Sequence, residues 1–398
     1  MTIAGHAACS HPWSACEGRG APSAAPVSWV NHATSGLPAP GLIYSQPMLA
    51  LTPPELVELL ITLPPERTPF IWGPPGIGKS ALVREAADLL SIPCVTLLGT
   101  QIAPEDLIGV PRIRSIDGGV FVTEFCPPRA ILRSEPFLLF IDELNSAVPD
   151  VQKAFYSLIL DRRLGDYALP VGSRVVGAGN RVEDRALVRP MATALANRMV
   201  HVALGPDAEA WLQWGASNDI HALVLAFVRA RPDRLFELPP TDATPAYPTP
   251  RAWHMLSDAL FGVSDRLWAA TAAGCVGDRA GAEWSAFAKR ALEAPPLEAI
   301  AEGRASVPRD PELIYFLGAS CLARLGSNQP AAGELAGKVV IALGAASKEV
   351  AVWVVDSALA RKKKTAAASA FEDFIRSSGS QVLVDVIRLG RYARDATP

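Results

Sequence analysis

The sequence predicts an α/β domain built on a central parallel sheet with a phosphate-binding loop, followed by an all-helical region. Three observations carry this. Residues 73–80 read GPPGIGKS, residues 137–143 read FLLFIDE, and beyond Leu204 the apolar residues recur at helical spacing. The first string fits G-x-x-x-x-G-K-[ST], a turn whose backbone N–H groups face inward onto phosphate oxygens. The second is apolar on both faces, as suits the middle of a parallel sheet, and it ends on two carboxylates where such sheets bind ligands. Together they point to a nucleoside triphosphate site.

The 398 residues are 49% hydrophobic and 19% charged with a formal net charge of −3, which fits a core-rich chain of two or three domains and shows no uniform basic field for nucleic acid. No apolar run reaches the roughly 20 residues needed to span a bilayer, so no membrane partner is expected. Residues 1–47 are rich in Ala, Pro, Ser and Gly, lack a charged-then-apolar signal layout, and read as a flexible tail or as an artefact of start-codon choice. Six cysteines form no C-x-x-C pair, which fits buried free thiols in a reducing, cytoplasmic setting. His6, Cys9, His11 and Cys16 match no structural zinc spacing.

Residues 48–204 are expected to form the nucleotide-binding domain. PFIWG at 69–73 is a buried strand leading into the loop Gly73, Pro74, Pro75, Gly76, Ile77, Gly78, Lys79, Ser80 and Ala81. Its three glycines let successive amides turn toward phosphate without Cβ obstruction. Lys79 is expected to reach the β- and γ-phosphates and Ser80 to supply a hydroxyl for Mg²⁺. A helix from about Gly78 to Leu90 aims its positive end at the anion. IPCVTLL at 92–98 is the next buried strand. Residues 101–128 read as an insertion with a small hairpin: a helix start at Pro104–Asp106, a turn at Gly118–Gly119 and an alternating strand at Val120–Phe125.

After the apolar strand Leu138–Ile141, Asp142 is expected to hold Mg²⁺ through water and Glu143 to polarise the attacking water. A helix over about Pro149–Leu160 leads to a second hairpin at Arg163–Leu169, turning at Gly165–Asp166. The strand RVVGAGN, 174–180, then delivers Asn180 to the edge that carries Asp142 and Glu143, where an amide orients water against the γ-phosphate.

The order of loop, acidic strand, strand-end Asn180, ALANRMVHV at 194–202 and YPTPRAW at 247–253 resembles the MoxR-type AAA+ ATPases, in the clade with a helix-2 insertion and a hairpin before the sensor strand. The resemblance covers about residues 50–262. It implies ATP and Mg²⁺ as ligands and a homo-oligomeric ring, usually of six subunits, with ATP between neighbours. It implies that Arg198 is an arginine finger for the neighbouring site and that Arg251 is a second sensor from the same subunit's lid. The chain departs from relatives that carry Asp-Arg-Phe where it has Asn197, Arg198 and Met199. A surface ion pair for Arg198 and helix N-terminal solvation for Arg251 are the plainer readings. Arg185 and Arg189 are further candidates for contacts between subunits.

Residues 205–262 read as the helical lid, with Trp211, Trp214 and Trp253 as core residues rather than base-stacking platforms. Residues 263–398 read as a helical C-terminal extension, and the basic run Arg361–Lys364 as a solvated helix end. The resemblance further implies a remodelling ATPase acting on a protein client, beside a von Willebrand factor A-domain partner. A DNA-directed motor is the alternative, for which Arg112, Arg114, Arg162 and Arg163 on the hairpins are the relevant cations. An ATP-gated assembly scaffold with little turnover is a third reading. Adenine is favoured by the resemblance alone.

Overall fold

The computed structural model describes residues 48–116, 119–181, 184, 191–238, 246–361, 363–378 and 388, all within the unit Gln46–Pro398. The expected N-terminal tail and its His6, Cys9, His11 and Cys16 lie outside the described residues, as do Arg185 and Arg189.

The chain enters through β1 (Ala50–Leu51) and α1 (Pro53–Thr62). The Glu55 carboxylate starts that helix by accepting the Thr52 N–H at 2.7 Å. There follow β2 (Pro69–Trp72), α2 (Lys79–Leu89), β3 (Cys94–Leu98), α3 (Pro104–Ile108), the antiparallel pair β4 (Val110–Ile116) and β5 (Val120–Cys126), and β6 (Leu138–Asp142). Next come α4 (Pro149–Asp161), the short hairpin β7 (Arg163–Leu164) and β8 (Tyr167–Ala168), β9 (Arg174–Gly179), α5 (Thr193–Ala196) and β10 (Val200–Leu204).

Six strands form one parallel sheet in the order β1-β10-β2-β9-β6-β3. The loop strand β2 and the acidic strand β6 thus flank β9, and their carboxyl ends open at one edge. All four residues of β2 and Leu138–Ile141 of β6 are buried, as a strand covered on both faces requires. The expectation that 92–98 is equally buried is corrected: β3 is the edge strand, and its side chains are half-buried with Thr96 exposed. Arg174, at the start of β9, donates to the Leu60, Ile61 and Leu63 carbonyls and so caps α1 with a cation where the helix dipole is negative.

The insertion is a hairpin whose register pairs Arg112 with Glu124 and Ser115 with Phe121. Alternation puts Pro111, Ile113, Phe121 and Phe125 on one face, with Ile113 73% and Phe121 72% exposed. The β7–β8 hairpin stands against its base, where the Phe125 N–H donates to the Asp166 carboxylate at 2.9 Å. Of the expected turn at Gly118–Gly119, Gly119 alone is among the described residues.

Beyond β10 the described elements are helical: α6 (Ala208–Ser217), α7 (Ala222–Ala230), α8 (Pro250–Leu260), α9 (Trp268–Val276), α10 (Asp278–Ala291), α11 (Leu297–Ala301), α12 (Pro311–Arg324), α13 (Pro330–Ala346), α14 (Lys348–Leu359) and α15 (Ala366–Ser377). A single apolar core joins them, from Trp211 and Trp253 through Trp284 to Phe371, and it runs unbroken across residue 262. Trp211 and Trp253 are buried and Trp214 packs on the same core.

The reading of Arg361–Lys364 as a solvated helix end holds at the exposed Lys363 and Lys364 and is corrected at Arg361. Arg361 is buried, donating to the Leu322 carbonyl at 2.9 Å and pairing with Asp219 at 2.8 Å, while Lys364 pairs with Glu372. The cations tie the end of α14 to the rest of the bundle. The described cysteines are free, but Cys321 is the fully buried one; Cys94 and Cys275 are half-buried and Cys126 is exposed. Among the described residues no helix is long and apolar enough to cross a membrane, and no cluster of His, Cys, Asp or Glu is arranged to hold a metal ion by itself.

Candidate nucleotide-binding site

The loop between β2 and α2 wraps around the Lys79 side chain. Its ammonium donates to the carbonyls of Gly73 at 2.6 Å and Pro74 at 3.1 Å and to Oδ1 of Asn180 at 2.8 Å. Burial pulls the Lys79 pKa down to about 8; the Asp142, Asp184 and Glu143 carboxylates oppose that shift and the Arg251 guanidinium adds to it. Ser80, one residue on, donates its hydroxyl to Oδ2 of Asp142 at 2.7 Å. Ile77 is buried under the loop: a Cβ on Gly73 would lie 2.7 Å from its Cδ1, so it shapes the turn from below. The exposed Ala81 donates its N–H to the Gly78 carbonyl at 2.9 Å as α2 begins.

The helical region meets the loop at Gly76. This residue has φ +81°, and a Cβ there would sit 2.8 Å from the Thr249 hydroxyl. Thr249 caps α8, its hydroxyl accepting the Ala252 N–H at 3.0 Å, and the Arg251 N–H donates to the Gly76 carbonyl at 3.1 Å. The helix that carries Arg251 therefore starts directly on the phosphate loop. Beside it lies a cavity of about 210 Å³ lined by Pro75, Gly76, Tyr247, Thr249, Arg251 and Cys275. A larger cavity of about 350 Å³, between Trp268, Trp284 and Lys289, contains none of the loop or strand-end residues.

At the end of β6 the backbone turns sharply. Glu143 has φ +54°, a left-handed conformation that a non-glycine residue adopts at a cost and that recurs at functional sites. Its N–H donates to Oδ1 of Asp142 at 3.0 Å, and its carboxylate accepts the Thr100 hydroxyl at 2.9 Å. Asn145 is buried and donates to the Asn180 carbonyl at 2.9 Å. Only glycine fits at 179, because a Cβ there would lie 2.0 Å from Oδ1 of Asn145. One asparagine thereby fixes the backbone from which the other reaches Lys79.

The structure brings Gly73–Ala81, Asp142, Glu143, Asn180 and Arg251 to one place. Arg198 is elsewhere: it is exposed past the end of α5, donates to the Ala194 carbonyl at 2.6 Å, and has its guanidinium carbon 5.6 Å from the Tyr156 ring centroid. Four contributors escape the sequence reading. Thr249 had a signal, a Thr-Pro pair opening a helix. Thr100 and Asn145 had none, since each acts through a contact made only once the sheet edge is assembled, and Asp184 bears on Lys79 through its charge.

Residues 69–199 match the family model described as AAA domain (dynein-related subfamily). The strand order and loop geometry agree with that match. The domain has the AAA+ P-loop fold. Over 172 residues the chain is 28% identical to the proteasome-activating nucleotidase of Methanoculleus marisnigri, covering 40% of this chain and 38% of that protein. The chain thus spans well under half the length of this curated relative. Among solved structures it is similar to a mutant RuvB of Thermotoga maritima, with 18% identity, TM-score 0.35, and coverage of 63% of this chain and 81% of the other. NtrX of Brucella abortus is similar with 18% identity, TM-score 0.30, and coverage of 64% and 69% respectively.

The state of Lys79 in the AAA+ domain has a measurable consequence. A bound polyanion favours the charged ammonium, so binding raises a pKa that starts near 8 and takes up a proton in the alkaline range. ATP affinity is expected to fall as pH rises through about 8. Calorimetric titration at pH 8 in two buffers of different ionisation enthalpy should register proton uptake.

Proposed function

We propose that the chain hydrolyses ATP as one subunit of a MoxR-type AAA+ ring, a remodelling ATPase working on a protein client beside a von Willebrand factor A-domain partner. The observation that carries the hydrolytic reading is the convergence of Lys79, Ser80, Asp142, Glu143 and Asn180 at one sheet edge. Ser80 and Asp142 offer hard oxygen donors 2.7 Å apart, a set that suits Mg²⁺. When bound, Mg²⁺ neutralises charge on the phosphate oxygens.

The loop amides and Lys79 hold the β- and γ-phosphates, with Lys79 exchanging protein carbonyls for phosphate oxygens. Glu143 and Asn180 orient the attacking water, and Glu143 accepts its proton. Arg251 projects from the helix seated on the loop and couples the helical region to the γ-phosphate. Arg198, exposed and remote from its own site, is free to complete the site of a neighbour. That assignment supports a ring, hexameric in the resemblance.

The protein-client reading is supported by the exposed Ile113 and Phe121 of the β4–β5 hairpin. The hairpin arginines favour it over DNA. Arg114 pairs with Glu124 at 3.7 Å, Arg162 donates to the Pro65 carbonyl and Arg163 to the Asp166 carbonyl, so three of the four serve the protein itself. The test is ATP turnover per subunit across a range of protein concentrations. A site shared between subunits gives specific activity that rises with concentration; turnover that stays flat down to the lowest measurable concentration overturns the shared site.

A further inference from the structure

The strand that leads into the phosphate loop ends on Trp72, immediately before Gly73, and the neighbouring strand β10 carries His201 as its second residue, in register with Phe70. Trp72 is 4% exposed, and its indole Nε1–H donates to Nδ1 of His201 at 2.9 Å. The two rings are nearly parallel, 22° between planes and 5.9 Å between centroids. Since Nδ1 accepts, the imidazole proton belongs on Nε2, which lies 2.8 Å from the Ala196 carbonyl and donates to it.

Ala196 is the last residue of α5, and the same carbonyl accepts the Met199 N–H at 3.1 Å. The imidazole therefore closes the turn that runs from Ala196 through Asn197, Arg198 and Met199 into β10. Arg198 sits on that turn and, among the described residues, meets the Ala194 carbonyl and the Tyr156 ring rather than its own nucleotide site. A polar relay through the domain interior thus joins the residue before the phosphate loop to the turn that displays the arginine.

We infer that Trp72 and His201 are positioning residues that set the Arg198 turn by reference to the same subunit's phosphate loop, so that the finger offered to a neighbour is aligned with the loop of the subunit that owns it. The inference rests on the ring reading of Arg198. The effect passes through the Ala196 carbonyl. Two chemically different changes cut the relay. Trp72→Phe removes the Nε1–H and keeps an aromatic ring in the core, and His201→Asn removes the donor to Ala196.

In the full-length protein both variants are expected to keep the KM for ATP within about twofold of wild type and to lower kcat about three- to tenfold, the scale of one lost interior hydrogen bond. Loss of packing at the loop would instead raise KM. The deciding readout is rescue between subunits. Glu143→Gln subunits have an intact Arg198 turn and a dead site, so on mixing they should restore turnover by Trp72→Phe and His201→Asn subunits, as they should by Arg198→Ala subunits. If Arg198→Ala is rescued and the relay variants are not, or if their kcat is unchanged, the relay does not act through Arg198 and the inference falls. If Arg198→Ala itself is not rescued, the ring reading fails and takes the inference with it. Should His201→Asn fail to fold, Trp72→Phe decides alone.

Discussion

Glu143→Gln is expected to bind ATP with affinity within a few-fold of wild type and to release phosphate about 10²- to 10⁴-fold more slowly, the usual worth of a positioned general base. The substitution keeps the shape of the side chain and the oxygen that accepts the Thr100 hydroxyl, so the left-handed turn at 143 and the placement of Asp142 should survive. What it removes is the group proposed to take the proton of the attacking water. The check is a pair of measurements on one preparation: equilibrium binding of a fluorescent ATP analogue and phosphate release under saturating ATP. A variant that hydrolyses at the wild-type rate removes Glu143 from the mechanism.

Lys79→Ala is expected to lower ATP affinity at least about 10²-fold, since charge-assisted hydrogen bonds each contribute on the order of 1.5–3 kcal/mol. Its ammonium makes three contacts in the loop, to Gly73, Pro74 and Asn180. Truncation takes away the charge for the phosphates and leaves the Asn180 amide without the partner that aims it. Binding by the same fluorescent analogue reads the loss directly. Circular dichroism and a thermal melt on the variant separate a lost ligand contact from a lost fold. Native-like spectra with wild-type affinity would contradict the role given to Lys79.

Much of the α/β domain was legible because its signals are local. The glycine spacing at 73–78 dictates a turn, the apolar run at 138–141 dictates a strand covered on both faces, and the strand at 174–179 ends immediately before Asn180. The errors share a cause. The burial of β3 depended on its being the edge of the sheet, and the burial of Arg361 depended on Asp219, distant in sequence, turning to meet it. Neither is written in a window of neighbouring residues. The same holds for the site: the loop and strand-end carboxylates announce themselves, whereas Thr100 and Asn145 contribute through contacts across the sheet edge. Arg198 is the instructive case. Its sequence context suggested a role between chains, and within its own chain it meets the Ala194 carbonyl and the Tyr156 ring.

Completion of each ATP site by Arg198 of another copy is tested by ATP turnover in a mixture of Arg198→Ala with Glu143→Gln subunits, each assayed alone as well. A shared site requires both variants to be nearly inactive alone and the mixture to turn over ATP well above their sum. A mixture no more active than its parts, at concentrations where the subunits assemble, would contradict a finger supplied in trans and with it the proposed ring mechanism.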